Sequence, residues 1–275
     1  MPALPLPPQD QAEGLRQMFA PARARFVPVV ANPHMRWSGV VLERLSTACA
    51  ELELHTLVVD AGEGPATRPH ELASLDLADA IERLTPQTSY LAARGLSLRH
   101  VDAEGSTAAF LHALSAAAPQ TDVVLVHAGA SELARLFARR SVRPLLLADD
   151  RPDSVTHAYA CLKLLAQRAG LLTHDLLLAA APSSPRAERI AIQIARCADD
   201  FVGAVLHDSL QLDPATSALD AASPALRRFV HALLLANEPG ALPSATALHT
   251  TPARPRGATE RAPWAWPEPA TAWAT

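Results

Sequence analysis

The chain has 275 residues, 49% of them apolar and 19% charged, with a formal net charge of -4. That is enough for one large domain or two small ones with a substantial core, and it lacks the basic excess that marks binders of nucleic acid. No apolar run approaches the ~20 residues of a membrane span, and Met1–Gln9 has neither the charged nor the apolar region of a signal peptide, so a cytoplasmic location is expected.

The first zone, residues 1–22, reads as an arm: a Pro-rich start, then Asp10-Gln11-Ala12-Glu13-Gly14-Leu15-Arg16 and a short helix-like stretch ending near Pro21. Asp10 as cap with Glu13 three residues on has the form of a capping box. The second zone, 23–236, alternates short β-rich runs with longer Ala/Leu/Arg segments. The runs are Phe26–Ala31, Thr56–Val59, Leu96–Val101, Val123–Val126, Pro144–Leu147, Leu176–Ala180 and Phe201–Leu206. The helical segments are Val40–Leu52, Ser106–Ala116, Ser131–Arg139, Ser154–Ala169, Pro185–Ala198 and Ala225–Ala236, with Asp153 or Ser154 as cap of the fourth. Strands alternating with helices predict an α/β fold, a doubly wound and mostly parallel sheet flanked by helices in a single domain. The third zone, 237–275, is rich in Pro, Ala and Thr without clear period and reads as a disordered tail. Its Trp264, Trp266 and Trp273 are interrupted by prolines and cannot share one regular helix, so at most a peripheral membrane contact is expected. Cys49, Cys161 and Cys197 are far apart, odd in number and without a CxxC pair, as small buried residues of a reducing compartment would be.

In such a sheet, ligands sit beyond the carboxyl ends of the strands. The loop after the first strand is Asn32-Pro33-His34-Met35-Arg36-Trp37-Ser38-Gly39. A phosphate-binding loop needs glycines, whose N–H groups close around the phosphates, and a lysine. Here one glycine stands at the end, Pro33 has no N–H, Met35 and Trp37 are bulky, and Arg36 stands out of place for the lysine. The only lysine of the chain is Lys163.

These residues resemble the MinD/ParA-like P-loop ATPases, and among them the flagellar-number regulators called FlhG or FleN, over roughly residues 9–236. Residues Asp10 to Arg16 are similar to the DQAxxLR element with which those regulators activate the GTPase FlhF. Thr56-Leu57-Val58-Val59-Asp60-Ala61-Gly62 resembles the family's strand ending in Asp-Ala-Asp. The stretch Arg151-Pro152-Asp153-Ser154-Val155-Thr156-His157-Ala158-Tyr159-Ala160-Cys161-Leu162-Lys163-Leu164-Leu165 resembles Glu-Pro-Thr-Ser-Ile-Thr-Asp-Ala-Tyr-Ala-Leu-Ile-Lys-Leu-Leu. The resemblance lays the family loop Gly-Lys-Gly-Gly-Val-Gly-Lys-Thr on Asn32 to Gly39. Its signature lysine becomes Pro33, its Walker lysine Ser38 and its magnesium-binding threonine Gly39. The second Asp of Asp-Ala-Asp becomes Gly62, the Walker B Asp becomes His127, and the Asn that would meet adenine near Ala179–Ala181 is absent.

The resemblance therefore implies a pseudo-ATPase with no cofactor, and a degenerate nucleotide site at Asn32, Pro33, Arg36, Ser38, Gly39, Asp60, Gly62 and His127. It implies a partner-binding element at Asp10, Gln11, Ala12, Leu15 and Arg16, where Gln11 would orient the attacking water of FlhF. The implied partners are FlhF and flagellar basal-body proteins, which would recruit the chain to the cell pole or inner membrane. A homodimer through the surface around Arg151–Ala158 is compatible with it. Two rivals stand beside this reading: a true ATPase that binds ATP and Mg through an unorthodox loop, and a MinD-like scaffold of another pathway. Other chemistries find less in the sequence. His34, His127 and His157 lack HxH or HExxH spacing for a metal, and Ser154 with Asp149 or Asp150 lacks a GxSxG elbow. Tyr159 and Lys163, one turn apart, lack the Gly-rich loop of a dehydrogenase, and Arg186, Arg189 and Arg196 read as a solvated helix face.

Overall fold

The chain is described by a computed structural model over residues 24–62, 76–217 and 219–238. The partner element expected at residues 10–16 and the tail from 239 lie outside the described residues. Within them the apolar runs become strands wherever their residues alternate between two faces. Strand β1 (Arg25–Val30) sends Phe26 and Val30 to one core and Val27 and Val29 to the other. The period of two in a strand makes this division automatic, and near-continuous apolar runs follow from burial on both sides.

Helix α1 (Ser38–Glu51) leads to β2 (Thr56–Asp60). The chain then forms β3 (Glu82–Arg83), β4 (Thr88–Ala92), a 3-10 turn (Leu96–His100), α2 (Ala109–Ala117), β5 (Val123–Ala128) and α3 (Ala130–Leu136). It ends with β6 (Leu145–Asp149), α4 (Pro152–Ala169), β7 (Thr173–Ala179), α5 (Ala187–Val202), β8 (Val205–Leu212) and α6 (Pro224–Ala236). The eight strands lie in the order β3-β4-β2-β5-β1-β6-β7-β8, and only β3 with β4 pairs antiparallel. Helices α1 and α6 cover one face through Val41, Leu45, Phe229 and Leu233. Helices α2 to α5 cover the other through Phe110, Leu133, Leu162 and Ile194. A doubly wound, mostly parallel sheet flanked by helices on both faces is thus the fold of this domain.

Three local expectations are corrected. Leu96–Val101 is no strand: Gly95 in the left-handed region (φ 77°) turns the chain into the 3-10 turn, where Leu96 is buried and Leu98 is exposed. The sheet position goes instead to β4, whose Thr88-Ser89-Tyr90-Leu91-Ala92 pairs rung by rung with β2. Phe201–Leu206 is split by Gly203, which ends α5 at φ 69° and places Phe201 in the helix and Val205 at the start of β8. Neither Asp153 nor Ser154 caps α4. The helix starts at Pro152, whose ring suits the first helical position, after an extended Arg151 that makes no side-chain cap.

Pro28 stands in the central strand although it cannot donate to a ladder. The fold accommodates it by beginning the β1–β6 pairing only at Val29↔Leu145, one residue later. No helix among the described residues is long and apolar enough to cross a membrane.

Candidate functional site

The carboxyl ends of β1, β2 and β5 open into a cavity of about 380 Å³. Six residues singled out from the sequence, Asn32, Pro33, Ser38, Asp60, Gly62 and His127, line it together. Arg36 and Gly39 do not. Arg94, His157, Cys161 and Leu164 are among the other residues of its wall.

The loop of residues 32–37 is tied down from behind. Asn32 is buried, and its side-chain amide donates to the carbonyl of Leu147 (2.8 Å) and to the carbonyl and Oγ of Ser154 (2.9 and 3.1 Å). Its own Oδ1 accepts the N–H of His34 at 3.1 Å, and its carbonyl accepts the N–H of Met35 at 3.0 Å. The N–H of Arg36 points to Asp149 Oδ2 at 3.4 Å. Asp149, at the end of β6, is buried and paired with Arg151 Nε at 3.0 Å. Met35 tucks into the α1/α6 core. Every loop amide from residue 33 to 36 is thus absent, as at Pro33, or spent inside the protein. Ser154 Oγ accepts the N–H of Asp149 (2.9 Å) as well as the Asn32 amide, which gives this hydroxyl a structural task.

Asp60 ends β2 and His127 stands beside it on β5, partners in the sheet register. The Asp60 carboxylate is within reach of four donors: His127 Nδ1 (3.4 Å), Arg94 (3.2 Å), Tyr90 Oη (3.4 Å) and the N–H of Gly62 (3.2 Å). The His127 hydrogen bond above all, aided by the Gly62 N–H and by Arg94 and opposed by burial, holds this carboxyl at about 2. Burial and the neighbouring carboxylate raise the Tyr90 phenol, which keeps it a donor. His127 Nε2 is buried without a partner among the described residues. Gly62 is fitted to this cluster: a Cβ there would stand 3.1 Å from Asp60 Oδ1. Arg94 and Tyr90 were not found from the sequence because β4, which carries Tyr90 and ends two residues before Arg94, was not recognised.

A nucleoside triphosphate with magnesium needs free backbone donors, a lysine, a hydroxyl for the metal and a carboxylate facing it. The residues present do not fit it. The amides of His34, Met35 and Arg36 are engaged, Ser38 and Gly39 open α1, and Asp60 already has four donors. Lys163 is exposed on α4. The carboxylate that touches the loop, Asp149, has the wrong sign for a phosphate. Space is not the obstacle at Gly39, where a Cβ would meet nothing within 4 Å.

His34 and His157 approach with ring centroids 5.4 Å apart, yet no group of three His, Cys, Asp or Glu side chains among the described residues converges on one point. Tyr159 Oη reaches the carbonyl of Cys197 (3.5 Å), tying α4 to α5, and Lys163 faces solvent. A second cavity of about 370 Å³ lies at the ends of β7 and β8. Its floor is Arg44, which is 2% exposed and donates to the carbonyls of Ser217, Asp220 and Ala221. The guanidinium there holds a loop of its own chain.

No protein-family model matches the chain, and no curated protein sequence matches it. Solved structures do. The structure of cobyrinic acid a,c-diamide synthase from Mycobacterium smegmatis with bound ADP and magnesium is similar over 77% of this chain and 94% of that one. The identity is 17% and the TM-score 0.51. A ParA family ATPase from Chlorobium tepidum TLS (13% identity, 78% and 89% covered, TM-score 0.45) is a looser likeness. So is the MinC:MinD cell division protein complex from Aquifex aeolicus (12%, 76% and 86%, TM-score 0.47). At these identities the likeness concerns the fold, and the first of the three, with the strand order, carries it.

Proposed function

We propose that this chain is an FlhG-like regulator of flagellar placement or number, which binds and stimulates the GTPase FlhF and no longer hydrolyses ATP itself. The observation that carries the second half is the loop of residues 32–37: Pro33 has no N–H, the amides of His34, Met35 and Arg36 are satisfied within the protein, and the carboxylate that touches the loop is Asp149. The first half is supported by the likeness of Asp10 to Arg16 to the activating element of those regulators, and of Arg151 to Leu165 to the corresponding stretch of their sequences. In this reading the fold is a scaffold, the arm is the effector, and ATP and Mg have no part. Flagellar basal-body proteins are further partners, and recruitment to the pole or inner membrane comes through them.

The test is GTP hydrolysis by the cognate FlhF with and without this protein, with Gln11→Ala as control. Stimulation that the substitution abolishes is the expected result. An unchanged rate with the full chain and with a peptide of residues 1–25 would sink the proposal.

A further inference from the structure

The loop that phosphate-binding relatives wrap around a ligand presents a different set of groups to solvent here. Pro33, His34, Arg36 and Trp37 are all exposed, and Trp37 is 42% exposed. Trp37 occupies the N-cap of α1 and makes no side-chain cap, at a position where Ser, Thr, Asp or Asn would serve the helix better. Local folding therefore does not account for this residue. The Arg36 guanidinium has no partner among the described residues; only its backbone N–H is engaged. Arg36 is also the one formally charged residue from 32 to 39. Behind these groups the Asn32 amide and the Asp149 carboxylate fix the backbone, so the side chains stand on a base that needs little ordering when a partner arrives. An aromatic and an arginine side by side on a rigid base are the composition of an interface hot spot.

We infer that residues 33–37 form a protein-docking loop, in which Trp37 enters an apolar slot and Arg36 pairs with a carboxylate of the partner. The occupant is an acidic protein surface, because the exposed loop is cationic and carries no acid of its own. Under the regulator reading, on which this assignment rests, that surface belongs to the same GTPase the arm stimulates. The loop then supplies affinity and the arm supplies stimulation. Two linked contacts raise the effective concentration of the second once the first is made.

The experiment is calorimetric titration of full-length protein into the GTPase at low and at moderate salt. Trp37→Ala is expected to weaken binding at least tenfold and Trp37→Phe to keep it within threefold. Arg36→Glu is expected to weaken binding at least tenfold and to lessen or reverse the loss of affinity that added salt causes in the parent. Trp37 is exposed, so the variants should melt with the parent, which excludes misfolding as the cause. Parent binding that Trp37→Ala and Arg36→Glu leave unchanged would overturn the docking loop and leave the regulator reading intact. No binding by the parent would overturn the regulator reading, and this assignment with it.

Discussion

Asp60 and His127 face each other on the β2–β5 register, with Oδ1 and Nδ1 3.4 Å apart. The contact belongs to a cluster that also takes in Arg94 and Tyr90. Because the Asp60 carboxyl is held at about 2 against an ordinary 3.8, folding favours its ionised form. The stabilisation is complete above pH 3.8 and is lost as pH falls toward 2. Its size is about 2 kcal/mol. Asp60→Asn should therefore cost about that much at pH 7 by urea unfolding. The gap to the parent should narrow below about pH 4. A gap that stays constant from pH 7 to 3 would show that the carboxylate's charge is not what matters.

Asn32 joins β1 to β6 and to α4 through its buried amide. Asn32→Ala leaves the carbonyls of Leu147 and Ser154 and the N–H of His34 without their partner. A loss of about 2–3 kcal/mol is expected in chemical denaturation. Amide hydrogen exchange of residues 33–37 should quicken in the same variant, since the loop's anchor is gone. A variant as stable as the parent would contradict the anchoring role.

His174 and Asp175 are neighbours on β7, both buried, and titrate in opposite senses. Burial lowers His174 to about 4, and neither ring nitrogen has a partner among the described residues. Burial raises Asp175 to about 6, against the pull of Arg143 at 2.8 Å and His207 at 3.5 Å, with Asp208 adding to the rise. As pH falls from 6.5 to 4 the unfolded chain protonates His174 more readily than the folded one, and stability drops. As pH falls from 6 to 3.8 the folded chain protonates Asp175 more readily, and stability rises. The two slopes oppose each other over nearly the same window. Asp175→Asn should expose the first and become less stable than the parent's profile predicts on going from pH 6.5 to 4. His174→Leu should expose the second, with the opposite slope. Parallel profiles for all three proteins would refute the cancellation.

Mg-ATP should leave the melting temperature unchanged. A site filled at 100 times its dissociation constant would add about 2.7 kcal/mol of stability. The engaged amides of residues 34–36 and the Asp149 carboxylate argue against such a site. A concentration-dependent rise in melting temperature would restore the reading as a true ATPase.

Much of the fold was legible because burial imposes a period. Leu176, Leu177 and Leu178 form a continuous apolar run since both faces of β7 are covered, and the helices announced themselves by length and composition. The edge of the sheet was not legible. β4 is half-buried at an outer position, and its Tyr90 and Leu91 make a weaker signal than the alternating Leu96 and Leu98 nearby, one of which faces solvent. The candidate site was readable in part: Asn32, Pro33, Ser38, Asp60, Gly62 and His127, singled out along the chain, do line one cavity. What those residues do there was not.

The sequence by itself determined the layered α/β plan and that residues 32–39 hold one glycine and no lysine, because both depend on residue type and order along the chain. Only the tertiary structure decided that Asn32 meets Ser154, that Asp149 accepts the Arg36 amide, and that Asp60 gathers Arg94, Tyr90 and His127. Those partners are 30 to 122 positions apart in the chain. Side-chain hydrogen bonds act over about 3 Å, so they depend on which strand ends the sheet order brings together, and no local pattern encodes that.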